Sequence, residues 1–179
     1  MTGYYRNGGY SGGGSNRGNG GGGYRSGGNR SNHQHVYTDG ASSGNGRSGA
    51  RAGYGVYYGD NDSRNTSMPL SGSRQTNQRA ELTAINHAIR NSNPSEPLTI
   101  HSDSSYGIKS MTEWGNKWDQ NGYRTYAGGA VSNQDLIREG RSLIASRDAS
   151  VSFNHVPAHS GNHGNDMADR LATNGAKMH

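Results

Sequence analysis

At Thr76 the spacing of apolar side chains changes, and that change confines the chain to one class of architecture. Before it, three short segments read as strands: His35–Ala41, the aromatic-rich Ala52–Gly59, and Thr66–Gly72, which Pro69 marks as an edge or irregular strand. After it, Ala80, Leu82, Ala84, Ile85, Ala88 and Ile89 recur with a helical period over Thr76–Asn91, and Pro94 and Pro97 stop the run. Leu98–Asp103 is a short strand, and helical spacing resumes through Ile108 and Met111. Trp114 and Trp118, four apart, share one face of a further short helix. Asn133 is expected to cap a helix carrying Leu136, Ile137, Leu143 and Ile144, and Ala149–Val156 is the last strand. Asn165 is expected to cap a final helix with Met167, Leu171 and Ala172 on one side. The order β-β-β-α-β-α-α-α-β-α predicts an α/β fold. Its mixed five-stranded sheet is flanked by helices, with Asp39 and Asp103 at the ends of neighbouring strands.

None of this pattern reaches the first 34 residues. There, 13 Gly, five Asn, four Ser, four Tyr and four Arg fill 30 positions, too little apolar surface to offset the entropy of ordering the backbone. Two parts are therefore expected, a disordered tail over 1–34 and a single domain over 35–179. Four arginines and no acid in the tail account for +4 of the net +5 charge, leaving the domain nearly neutral. A cationic arm with interleaved Tyr suits a polyanion, with Arg meeting phosphate and Tyr stacking on bases, although a plain linker fits equally well. No apolar run is long enough to span a bilayer or to serve as a secretory signal, so no membrane partner is expected. The chain has no cysteine, which excludes disulfides and zinc-thiolate sites and accords with an intracellular, reducing compartment; nucleus, cytoplasm and mitochondrion are not distinguished.

The chemistry is carried by acids at element ends and borders. If the sheet sets Asp39 beside Asp103, the helix bearing Glu81 can reach over them and the final helix can bring Asp169 from the other side. Carboxylates so placed cannot all ionise without a counter-charge, because each raises the pKa of the others. Oxygen-only ligands favour Mg²⁺, with Mn²⁺ an alternative, and two such ions roughly 3.5–4 Å apart can clamp the attacking and leaving oxygens of a phosphodiester. His159, in the glycine-containing loop before the last helix, adds an imidazole suited to acid/base work beside a metal.

Four blocks carry a resemblance. They are Tyr37-Thr38-Asp39-Gly40, Arg74 to Leu82, Ser102-Asp103-Ser104, and His155 to Gly161 with Gly164 to Ala172. In this order and spacing they resemble the signature blocks of ribonuclease H in its type 1 cellular form, over about Val36 to Lys177. The resemblance implies a metal-dependent endonuclease that hydrolyses the RNA strand of RNA–DNA hybrids, leaving 5′-phosphate and 3′-hydroxyl ends by a two-metal mechanism. It implies Asp39, Glu81, Asp103 and Asp169 as metal-binding acids, and His159 as the mobile imidazole that assists the leaving group. Asn45, Asn77 and Gln78 correspond to the family's minor-groove readers of the RNA strand, whose amides can both donate to and accept from a 2′-hydroxyl. Arg74, Thr76 and Asn133 correspond to its pocket for a DNA phosphate, and Trp114 and Trp118 to aromatics packed on deoxyribose, with burial in the core as the alternative for the two tryptophans. The expected working unit is a monomer with no small-molecule cofactor.

The chain departs from the family pattern in three places. Asp166 stands where the family usually has Glu. After the second helix, Lys109, Lys117 and Arg124 alternate with Glu113 and Asp119 where many relatives cluster lysines. The Gly-rich arm occupies the place of the small hybrid-binding domain common in eukaryotic members. Two other readings stay open: a catalytically weak RNA- or hybrid-binding protein relying on the basic tail, and a nuclease or recombinase of the same superfold acting on DNA.

Overall fold

The computed structural model of the protein describes residues 32–179. The Gly-rich arm, down to Ser31, lies outside the described residues. Ten elements follow in the expected order: β1 (Gln34–Ser43), β2 (Arg51–Tyr57), β3 (Thr66–Pro69), α1 (Asn77–Arg90), β4 (Leu98–Ser102), α2 (Ser105–Met111), α3 (Glu113–Asn121), α4 (Gln134–Ala145), β5 (Val151–His155) and α5 (His163–Ala176). Gln34, assigned by composition to the tail, instead opens β1. It pairs with Leu98, and its backbone N–H donates to Pro97 O over 2.9 Å.

The sheet order is β3-β2-β1-β4-β5, antiparallel across β1–β2 and β2–β3 and parallel across β1–β4 and β4–β5. Asp39 is not a strand end. It lies in the middle of β1, because β1 runs on to Ser43 against β2 after its pairing with β4 has stopped at Tyr37↔His101. Counting two residues on from that pair reaches Asp39 and Asp103, so the end belongs to β4 alone and the two acids still come side by side.

Glycines decide how closely the helices approach. Gly55 pairs with Asp39, and a Cβ on either Gly53 or Gly55 would overlap the backbone of α5. Directly opposed residues share a face, so Asp39 looks toward α5. Gly40 faces the other way, where a Cβ would stand 2.5 Å from Glu81 N and 2.8 Å from Ala80 C, so only glycine lets α1 lie this close to β1. The main core is a cluster that includes Val36, Val56, Leu82, Ile85, Leu98, Ile100, Ile137 and Phe153, drawn from the sheet, α1 and α4, and Ala52, Leu70 and Ala80 form a second, smaller one. Each fully buried aliphatic side chain of this kind stabilises the fold by about 1.5–3 kcal/mol. Among the described residues no helix is long and apolar enough to cross a membrane.

Two caps differ from expectation. Asn162, not Asn165, caps α5: its backbone is extended and its side chain accepts from Asn165 N–H over 3.1 Å. The helix therefore begins three residues earlier, and Asn165 turns inward as a buried side chain. Asn133 does stand at the N-cap of α4, but with φ 59° and no capping hydrogen bond from its side chain.

Candidate active site

Three carboxylates converge. Oxygen atoms of Asp39, Glu81 and Asp103 lie within 4.8 Å of one another, Asp39 and Glu81 being buried and Asp103 half-buried. The Gly40 N–H donates to Asp39 Oδ1 over 2.8 Å, and the Asn165 side-chain amide donates to Asp103 Oδ2 over 3.1 Å. Glu81 Oε2 is buried with no hydrogen-bond partner.

Burial, and then the charges of Asp103 and Asp169, push Asp39 from its ordinary 3.8 up to about 7; the Gly40 N–H opposes the rise. Burial and the charges of Asp39 and Asp103 push Glu81 well above the usual carboxylate range. Carboxylates whose affinity for protons is raised by burial and by one another's charges, one of them with a buried and unpartnered oxygen, are what a divalent cation would relieve. The residues therefore fit a metal ion of the hard, oxygen-seeking kind. Asp169, on the second turn of α5, stands outside the tight group of three but is near enough to act on Asp39 through its charge.

Several of the other expected residues sit around the N-terminal ends of α1 and α4. The Asn77 N–H donates to the Asn45 side-chain oxygen over 2.9 Å, which joins the loop after β1 to the start of α1, and Gln78 is exposed beside them. The Thr76 hydroxyl caps α1 by accepting from Arg79 N–H over 3.3 Å. The Asn133 amide donates to the Tyr106 hydroxyl and accepts from Arg79. Arg74 stands 3.8 Å from the Asp135 carboxylate, while Arg79 grips the same carboxylate at 2.7 and 3.0 Å. These bonds hold Asp135 down at about 2.

Trp114 and Trp118 are half-buried and tilted against each other, with centroids 5.9 Å apart. Trp118 leans on the core and on Tyr123, and Trp114 meets Tyr106 edge-on, so neither ring is wholly a core residue. His159 is exposed, with φ 50°, in the loop between β5 and α5. On α3, the Asp119 carboxylate is bound by Arg141 at 2.6 Å and by the Tyr123 hydroxyl at 2.8 Å, while Lys117 and Arg124 are exposed.

Sequence reasoning missed Asn165, Arg79, Asp135 and Tyr106. Asn165 was hidden by its own plausibility as a cap. The pairing of Arg79 with Asp135 spans two helices and leaves no periodic signal in the chain.

The family model described as RNase H matches residues 31–177. Ribonuclease H of Schizosaccharomyces pombe is 49% identical over 113 residues, 63% of this chain and 41% of that protein. Ribonuclease H1 of Homo sapiens is 43% identical over 116 residues, 64% of this chain and 40% of that protein. The matched part of the chain thus spans about two-fifths of the length of these relatives. Among solved structures, LC9-RNase H1, described as a type 1 RNase H with the type 2 active-site motif, aligns with a TM-score of 0.61 at 28% identity, covering 81% of this chain and 72% of that one. The foamy viral protease-reverse transcriptase in complex with dsDNA aligns with a TM-score of 0.62 at 26% identity, covering 80% and 93%.

Proposed function

The chain belongs to the ribonuclease H family, and on that premise we propose that it is an endonuclease hydrolysing the RNA strand of RNA–DNA hybrids to 5′-phosphate and 3′-hydroxyl ends. The observation that carries the reading is the convergence of Asp39, Glu81 and Asp103, with Glu81 Oε2 buried and unpartnered. Surface acids do not hold one another in that state, since burying unpaired polar atoms costs free energy that only a ligand or a catalytic use would offset.

Asp39, Glu81, Asp103 and Asp169 would hold two ions, Mg²⁺ or Mn²⁺. The ions would supply the positive charge that lets the acids ionise together and offsets the charge developing at the scissile phosphate. The protein's own part is placement. The Gly40 N–H and the Asn165 amide orient Asp39 and Asp103, and the backbone approach at Gly40 fixes Glu81. His159, exposed on its loop, would carry a proton to the departing oxygen, an assignment supported by its position beside the helix that bears Asp169. Asn45, Asn77 and Gln78 would read the RNA strand at its 2′-hydroxyls. Arg74, Thr76 and Asn133 would hold a phosphate of the DNA strand, and Trp114 and Trp118 would pack on its sugars. The expected working form is a monomer, and the lack of cysteine accords with a reducing, intracellular compartment.

The test is direct. The full chain is incubated with end-labelled RNA–DNA hybrid, double-stranded RNA and double-stranded DNA, in Mg²⁺ and in chelator. Cleavage of the hybrid's RNA strand alone, abolished by chelator, is the expected result. Binding of hybrid without cleavage would replace the enzyme with a binding module, and cleavage of the DNA duplex would make it a DNA nuclease of the same fold.

A further inference from the structure

The face of the sheet that carries Asp39 continues, away from the acids, into a column of imidazoles. His35 and Tyr37 alternate along β1 ahead of Asp39, His33 immediately precedes the strand, and His101 stands on β4 opposite Tyr37. The α5 helix covers this face only as far as Tyr37, whose ring lies against Gly164 in its first turn. Beyond that point His33 and His35 are exposed and His101 is half-buried.

The rings are ordered. His35 Nδ1 lies 3.0 Å from His101 Nε2, with the ring centroids 5.3 Å apart and the planes 24° from parallel. His33 is stacked on His35 with centroids 4.8 Å apart, and its Nε2 lies 2.6 Å from the Thr99 hydroxyl. His101 Nδ1 is 2.9 Å from the Asn154 side-chain amide on β5. The proposed reaction of the acid cluster uses none of these groups.

Two imidazole nitrogens aimed at each other from adjacent strands are a ligand pair in the making. A tetrahedral ion with Zn–N bonds of about 2.0–2.1 Å holds its nitrogen ligands about 3.3 Å apart. The present 3.0 Å separation opens to that value with a small turn of His35, which solvent leaves free to move. Asn154 supplies what a ligating histidine needs at its other nitrogen. With its amide turned so that the oxygen faces His101 Nδ1, it accepts that N–H and leaves Nε2 free for the ion. An amide can be turned this way without moving any other atom.

We propose that His35 and His101 form a two-histidine site for a borderline transition-metal ion of the Zn²⁺ class, its other positions filled by water, that ties β1 to β4 just below the acid cluster. Nitrogen ligands separate this site from the oxygen-only cluster, which favours harder ions. Because His35 lies four residues before Asp39 and His101 two before Asp103, a bound ion pins together the two strands that set the spacing of those acids.

Zn²⁺ alone is the probe. Equilibrium dialysis of the full chain in millimolar Mg²⁺ should find one more tightly held Zn²⁺ in the parent than in His35→Gln or His101→Gln, with affinity for that ion reduced by about tenfold or more. His163→Gln, on α5, should match the parent. Zn²⁺ should also raise the melting temperature of the parent and of His163→Gln, but not of the two ligand variants. His35 is exposed, so His35→Gln decides the matter even if His101→Gln fails to fold. Unchanged stoichiometry and affinity in His35→Gln, or an equal loss in His163→Gln, would overturn the site.

Discussion

The side chain of Asn165 on α5 donates to Asp103 Oδ2 at the end of β4 across 3.1 Å, and Asn165 is itself 2% exposed. This bond links the helix bearing Asp169 to the strand bearing Asp103. Asn165→Ala removes the donor and leaves Asp103 without the group that orients it. Stability is expected to fall by about 1–3 kcal/mol, as for other lost buried hydrogen bonds. Hybrid cleavage should fall in kcat with KM little changed, and the Mg²⁺ concentration giving half-maximal rate should rise. A purely structural role for Asn165 would leave that Mg²⁺ midpoint where it is.

Asp103→Asn keeps size and hydrogen bonding while removing one charge from the cluster. If the cations hold the reaction together, the rate should fall by orders of magnitude, since each 1.36 kcal/mol of lost stabilisation is about tenfold. Folding should not suffer. With Asp103 neutral, burial is the main cause left holding Asp39 and Glu81 up, and the repulsion each now feels is reduced. Hybrid affinity in chelator should hold or rise. Near-parent turnover by this variant would remove Asp103 from the metal site.

The strand and helix sequence was legible because burial on one face leaves a period in the chain, and β1 to α5 follow that period in order. What the period could not show is where pairing stops. Asp39 looked like a strand end because Gly40 follows it, yet Gly40 serves the approach of α1, and β1 runs on beside β2. Asn165 was misread for a similar reason: a good capping residue type sat three positions past the true cap, and only the turn at Asn162 decides between them. The acids were legible by type and by resemblance, whereas the Arg79–Asp135 pair depends on how α1 and α4 cross.

Asp39 makes the cluster's electrostatics measurable. Its folded-state value of about 7 is above its ordinary 3.8, so between those limits the metal-free native state keeps a proton that the unfolded chain has released. Its contribution to stability is therefore intact below 3.8 and declines as pH rises to about 7. Asp39→Asn lacks Asp39's share of that slope, while the share that burial gives Glu81 remains in both proteins. The melting temperature of Asp39→Asn minus that of the parent, in chelator, should grow from pH 5 to pH 8 by the equivalent of about 3 kcal/mol. Taking the difference cancels His101, which burial and then the neighbouring His35 and His33 lower to about 4 and whose effect runs the opposite way. Mg²⁺ should shrink the difference at pH 8, and a difference that does not vary with pH would mean that Asp39 ionises freely.

Arg79 holds Asp135 through two parallel bonds and also reaches Asn133. Lysine keeps the charge but not the fork. Arg79→Lys should free Asn133 and Asp135 to shift, raising KM for the hybrid severalfold while kcat stays near that of the parent. Loss of kcat with unchanged KM would place Arg79 in the chemistry and not in substrate positioning.

Gly40 is the point where packing and chemistry depend on the same atom. Its φ is not positive, so alanine there meets no backbone strain. The conflict is one of space, because the new Cβ would stand 2.5 Å from Glu81 N, 2.8 Å from Ala80 C and 2.9 Å from Ala80 Cβ. Two of those atoms are backbone and cannot rotate away, so α1 has to withdraw and take Glu81 with it. Gly40→Ala is expected to cost about 1–3 kcal/mol, the usual range for overpacking, and to depress hybrid cleavage by tenfold or more among molecules still folded. Ala80→Gly should not rescue it, since the closest atom is the Glu81 nitrogen. Gly53→Ala supplies the comparison: its Cβ would strike the α5 backbone at Gly175, Ala176 and, less closely, Ala172, all on the C-terminal side of Asp169, so it should lose stability but keep more of its rate per folded molecule than Gly40→Ala. Melting curves and single-turnover cleavage of the two variants at a temperature where both are folded separate the effects. Should Gly40→Ala melt lower yet cleave at the parent rate, the close approach of α1 to β1 would be a packing feature with no part in holding Glu81 against Asp39.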